Sequence, residues 1–99
     1  MTSKAISLST HVLDTSVGKP ASGVLIVLYR GDMLMSELRT DEDGRAHLGD
    51  DLDPGLYRLV FHPASPFFKR VEFEISLDDG HYHVPLLVSP YSCASYRGS

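Results

Sequence analysis

The chain of 99 residues has one cysteine, Cys93, so no disulfide can close within it and the stapled class of small secreted domains is excluded. No stretch approaches the roughly 20 apolar residues that a membrane-spanning helix needs. The first residues, Met1-Thr2-Ser3-Lys4-Ala5-Ile6-Ser7-Leu8-Ser9, lack the basic segment and apolar run of a signal peptide. The expectation is a cytoplasmic protein with no membrane partner. Basic charge is also scarce: Lys+Arg number 9 against 13 Asp+Glu, net -4, which argues against a nucleic-acid partner. Linkers, low-complexity tracts and internal repeats are missing, and so is helical periodicity. There is no phosphate loop, nucleophile elbow or cysteine-based metal motif.

What is present fits one small domain over residues 1–99, which removes only about two-thirds of its extended surface from water on folding. A core that modest favours oligomerisation as a source of further burial. Turn signals fall at short, fairly regular intervals, the pattern of an all-β sandwich or barrel. Residues 5–13 alternate, with Ile6, Leu8 and Val12 on one face and Ser7, Ser9 and His11 on the other. Residues 24–30 are an apolar run suited to a central strand, and residues 33–40 form a further strand of mixed faces. Asp41-Glu42-Asp43-Gly44 is a compact acidic turn, so residues 45–48 return as a short strand with Arg45 just past the tip.

A turn over residues 50–55 leads to a strand at 56–62, which carries Tyr57, Leu59 and Phe61 on one face and is ended by Pro63 and Pro66. Val71, Phe73 and Ile75 alternate with Glu72 and Glu74, giving a strand wet on one side. Residues 81–88 place His81 and His83 on a shared face, and residues 91–97 make a last strand. About eight strands result, and an antiparallel sandwich of two sheets is the most economical way to pair them.

Three features are unusual for a plain sandwich: His11 on a polar strand face, the pair His81 and His83, and Arg45 directly after the Asp43-Gly44 turn. Each has an ordinary explanation. A lone strand histidine is more often a surface residue than a catalyst, and an arginine at a hairpin tip commonly supports the turn. The i, i+2 spacing of His81 and His83 points both imidazoles the same way, as a zinc site requires, with His11 as a conceivable third ligand. No carboxylate or thiolate stands at an obvious ligand spacing nearby. Cys93, between Ser92 and Ala94, reads as a packing residue, and the acidic turns read as solvated loops.

Together these blocks resemble a known family. Thr10-His11-Val12-Leu13-Asp14-Thr15 with Gly18-Lys19-Pro20, then Asp43-Gly44-Arg45, then His81-Tyr82-His83-Val84-Pro85-Leu86-Leu87 with Ser89-Pro90-Tyr91, and finally Tyr96-Arg97-Gly98-Ser99 are similar to the 5-hydroxyisourate hydrolases, transthyretin-related enzymes of urate breakdown. The match spans nearly the whole chain. It implies a transthyretin-like sandwich of two four-stranded sheets, assembled as a homotetramer with active sites in the channel between dimers.

The resemblance further implies that His11, Arg45, His83 and Ser99 form the catalytic set. Substrate would be held by His11, Arg45 and the run Tyr96, Arg97, Gly98 and Ser99. Within the histidine pair His83 is the matching position, and His81 is a secondary candidate. The implied reaction is hydrolysis of 5-hydroxyisourate to 2-oxo-4-hydroxy-4-carboxy-5-ureidoimidazoline, with no metal and no cofactor.

Those residue types suit that chemistry on their own terms. Opening a cyclic amide with water needs a base for the water, a positive group for the developing oxyanion and a proton for the departing nitrogen. Two histidines can supply both proton transfers near neutral pH. Arg45 offers a fixed fork for a carbonyl oxygen. Ser99, through its hydroxyl or a carboxylate, could orient a histidine or the water.

Six residues, Pro63 through Phe68, are too few for the helix that transthyretin-like domains carry at that place, so no helix or a single turn is expected. The main competing reading is a transthyretin-type small-ligand carrier without catalysis, whose channel would be apolar. A structural or adhesion sandwich with incidental histidines is the second.

Overall fold

The computed structural model describes residues 5–98 and, among them, contains no helix. Ten strands follow in chain order: β1 Ile6–Asp14, β2 Lys19–Pro20, β3 Leu25–Arg30, β4 Met33–Arg39, β5 Arg45–Leu52, β6 Gly55–His62, β7 Val71–Leu77, β8 His81–His83, β9 Leu86–Ser89 and β10 Ser92–Ser95. Strands β4-β3-β6-β7 form one antiparallel sheet. The other six form the second, built around β1. One edge of β1 pairs antiparallel with β5 and then β2, and β8, β9 and β10 lie on its other side.

The sandwich expected from the sequence is therefore present, with ten strands in place of about eight. Two differences account for the count. Lys19-Pro20 pairs briefly with the end of β1. The single strand expected over 81–88 is interrupted at Val84-Pro85, where proline has no N–H to give to a ladder. A further difference is direction: β8 and β9 run parallel to β1. Between them the chain passes through the whole opposite sheet, and alternation along a strand carries no information about such a crossover. β5 is eight residues long and continues through Asp50 to Leu52, where a turn was expected.

Alternation explains the core. β1 buries Ile6, Leu8, Thr10 and Val12 and turns Ser7, Ser9 and His11 the other way. Ala46, Leu48, Val84, Leu86 and Val88 complete that layer, and Ile26, Leu28, Tyr57, Leu59, Phe61 and Leu77 close on it from the other sheet. Each fully buried leucine or phenylalanine side chain contributes about 1.5–3 kcal/mol over its exposed state. Thr10 is the polar exception in β1, and its hydroxyl donates 2.6 Å to the Val84 carbonyl, tying the strand to the backbone just after His83. Cys93 packs half-buried against this cluster, and burial pushes its thiol up, as befits a packing residue. Residues 63–70 link β6 to β7 without a helical turn.

Candidate active site

The outward face of the β1 sheet collects the polar side chains that alternation denies to the core. Ser9 lies opposite His47, and His11 opposite Arg45, across the β1–β5 ladder. Ser7 lies opposite His81, and Ser9 opposite His83, across the β1–β8 ladder. Three strands thus bring His11, Arg45, His47, His81 and His83 to one surface, four of the five histidines of the chain.

Arg45 is aimed by its turn. The Asp41 carboxylate accepts from the backbone N–H groups of Asp43 and Arg45, each at 2.9 Å. Gly44 has φ +75°, and its carbonyl accepts from Val12 N at 2.7 Å. A Cβ at Gly44 would stand 2.5 Å from the Val12 carbonyl oxygen, so only glycine brings the turn this close to β1.

His83 is held on two sides. Its Nδ1 lies 2.9 Å from Ser9 Oγ, and its carbonyl accepts from Gly98 N at 2.6 Å. A Cβ at Gly98 would meet His83 Cδ2 at 2.8 Å, so the tail runs flat against the imidazole. Burial first, then the neighbouring His11, His81 and Arg45, hold His83 below the ordinary histidine value. A neutral imidazole with Nδ1 occupied leaves Nε2 as the nitrogen available for chemistry.

Between these strands opens a cavity of about 250 Å³, lined by Ser9, Thr10, Asp41, Arg45, His47 and His83 among others. The residues singled out from the sequence fall into two groups around it. Arg45 and His83 line it, His11 stands beside Arg45, and Gly98 backs His83. Tyr96 and Arg97 line a second cavity of about 250 Å³ together with Phe73, Ile75 and Val84. Arg97 stacks over the Tyr82 ring at 4.1 Å, which anchors the tail. Ser99 lies outside the described residues. His81 is exposed and lies 3.1 Å from Ser9 Oγ. Among the described residues no group of three or more His, Cys, Asp or Glu side chains is placed to hold a metal ion.

Reasoning from sequence missed His47 and Asp41 and did not single out Ser9. His47 is two residues beyond Arg45 on an alternating strand, and Ser9 shares the wet face of β1 with His11; the period-2 pattern carried both signals.

This fold recurs in known proteins. The HIUase/Transthyretin family model matches residues 8–98. The chain belongs to the HIUase/Transthyretin family. Among relatives within it, 5-hydroxyisourate hydrolase of Caulobacter vibrioides is 47 % identical over 112 aligned residues, covering 93 % of this chain and 97 % of that protein. The aligned span exceeds the 99 residues of this chain, so that relative carries residues with no counterpart here. The 5-hydroxyisourate hydrolase of Pseudomonas aeruginosa is 42 % identical, covering 93 % of this chain and 90 % of that protein. The solved structure of Klebsiella pneumoniae 5-hydroxyisourate hydrolase superposes with a TM-score of 0.87 at 34 % identity, covering 94 % of this chain and 98 % of that one. The Klebsiella pneumoniae enzyme thus shares this sandwich over nearly its full length.

Proposed function

We propose that this protein is a 5-hydroxyisourate hydrolase that opens the cyclic amide of its substrate with water. The observation that carries the reading is the convergence of His11, Arg45 and His83 on one face around a small cavity lined by ionisable side chains. The names of its relatives support the same reading. A carrier of the transthyretin type would want an apolar channel, whereas this cavity presents an arginine, histidines, a serine and an aspartate.

In this reading the His11/His83 pair takes a proton from the attacking water and returns one to the departing nitrogen. His83 suits the first task because it is neutral near pH 7 and its Nε2 is free of the Ser9 contact. Arg45 holds the carbonyl under attack and stabilises the oxyanion that forms on it. Tyr96, Arg97, Gly98 and Ser99 are assigned to holding substrate, with Gly98 fixing the pitch of His83 and Arg97 anchoring the tail on the Tyr82 ring. Every role has a side chain of this chain to fill it, so the reading calls for no cofactor.

The assembly proposed with it is a homotetramer whose sites lie between dimers. Arg45 is exposed on the isolated chain, and an arginine that must stabilise an oxyanion works best where a facing surface excludes water. A domain of residues 1–99 in the cytoplasm, where a lone thiol stays reduced, completes the proposal. Its test is whether the purified protein speeds the decay of 5-hydroxyisourate generated from urate by urate oxidase.

A further inference from the structure

Four side chains form a continuous chain of contacts from the cavity to the surface. His83 Nδ1 lies 2.9 Å from Ser9 Oγ, Ser9 Oγ lies 3.1 Å from His81 Nε2, and His81 Nδ1 lies 2.6 Å from Ser7 Oγ. His83 is half-buried beside the cavity and His81 is exposed. A serine hydroxyl has one proton to donate, so facing two imidazole nitrogens it can donate to one only and must accept from the other. The protonation of His81 Nε2 is thereby opposite to that of His83 Nδ1. Alternation and register bring this about: Ser7 and Ser9 share a face of β1, His81 and His83 share a face of β8, and the parallel ladder sets Ser7 against His81 and Ser9 against His83.

We propose that Ser9 and His81 are a proton relay that takes the charge off His83 while product still covers its Nε2, with Ser9 the positioning residue that links the surface imidazole to His83. The inference rests on the hydrolase reading. Water added across the amide gives a carboxylic acid and a ureido nitrogen. The acid ionises near neutral pH and the ureido nitrogen stays uncharged, so each turnover leaves one proton to be removed. That proton protonates His83 at Nε2. The His83 Nδ1 proton then passes to Ser9 Oγ as the Ser9 hydroxyl proton passes to His81 Nε2, and His81 releases its Nδ1 proton to water by way of Ser7. His83 is left neutral. The site resets when Nε2 loses its proton to the water that replaces product and the three linked protons shift back, His81 taking one at Nδ1 from solvent. The charged and titratable groups facing His83 are His11 on β1, Arg45 on β5 and His81 on its own strand; His47 and Asp41 share the cavity.

The experiment measures hydroxyisourate turnover in dilute phosphate and with added imidazole. Ser9→Ala and His81→Ala are each expected to lower kcat about tenfold, part of what a general acid–base contact supplies, with KM within about twofold of wild type. Imidazole is expected to restore the His81→Ala rate in proportion to its concentration, and Ser9→Thr, which keeps the hydroxyl, to retain wild-type kcat. Folded variants with wild-type kcat in dilute buffer, or a His81→Ala loss that imidazole leaves untouched, would overturn the proposal. His81 is exposed, so its replacement carries the test even if Ser9→Ala folds poorly. The nitrogen chemical shifts of His83, read by NMR without substrate, are expected to change in Ser9→Ala; unchanged shifts would overturn the link to His81. That change in Ser9→Ala together with no turnover by the wild-type protein would contradict the hydrolase reading and leave the hydrogen-bonded link intact.

Discussion

His11 and Arg45 stand directly opposite each other in the β1–β5 ladder, and the turn at Gly44 is what puts them there. The register shifts twice between Ile6 and Ser9 before it reaches this pair, and then holds from Ser9 to His11. Because side chains alternate, a slip of one residue would send Arg45 into the core and turn Ala46 outward. The geometry of the proposed site therefore depends on a backbone feature as much as on the two side chains.

Replacing His11, Arg45 or His83 by alanine should cost at least about a hundredfold in kcat/KM, the lower range for loss of a general base or an oxyanion-stabilising group. Arg45 is exposed and the two histidines only half-buried, so the melting temperature should stay near wild type. Steady-state kinetics beside thermal melts of the three variants checks this.

Gly44→Ala should destabilise the fold by about 2 kcal/mol or more and disable the site with it. Its φ of +75° disfavours any side chain, and the new Cβ would press on the Val12 carbonyl at 2.5 Å and on Pro20 Cβ at 2.9 Å. Denaturant unfolding measures the first effect. Activity of the fraction still folded measures the second.

Gly98→Ala should separate activity from stability. The added methyl would meet the His83 ring at 2.8 Å, at the end of a tail that contributes little to the core. A drop of about tenfold or more in kcat with little change in unfolding midpoint is expected, because small displacements of a catalytic group are costly. Deletion of residues 96–99 should abolish turnover.

The pH dependence follows from His83. Burial, and after it His11, His81 and Arg45, lower its value from 6.5, so the neutral form required of a base persists below that pH. The acid limb of kcat/KM should therefore fall below pH 6.5. Stability moves the same way: the unfolded chain binds the proton more readily, so the stability tied to neutral His83 is present above the unfolded value and lost as pH falls through the folded one. Rate profiles and melts recorded from pH 8 to 5 test both signs.

Much of this was legible in the sequence because alternation records burial directly. Ile6, Leu8 and Val12 in β1, Tyr57, Leu59 and Phe61 in β6, and the half-wet β7 are where period-2 reading puts them. The absence of a helix after His62 was legible from the shortness of that connection. Strand direction was not, since the parallel pairing of β8 and β9 with β1 depends on the path through the opposite sheet. Nor was the extension of β5, where Asp50 and Asp51 resemble a turn yet lie within a strand, Asp51 at positive φ. Arg45, His83 and Gly98 were recognisable from their blocks of sequence, but the contacts of Ser9 depend on register, which no single strand reveals.

The most direct measurement is the absorbance decay of 5-hydroxyisourate, generated from urate by urate oxidase, with and without the purified protein. The account predicts decay well above the spontaneous rate, proportional to protein concentration and absent with the Arg45→Ala variant. Decay at the spontaneous rate with folded wild-type protein, or equal acceleration by Arg45→Ala, would contradict it.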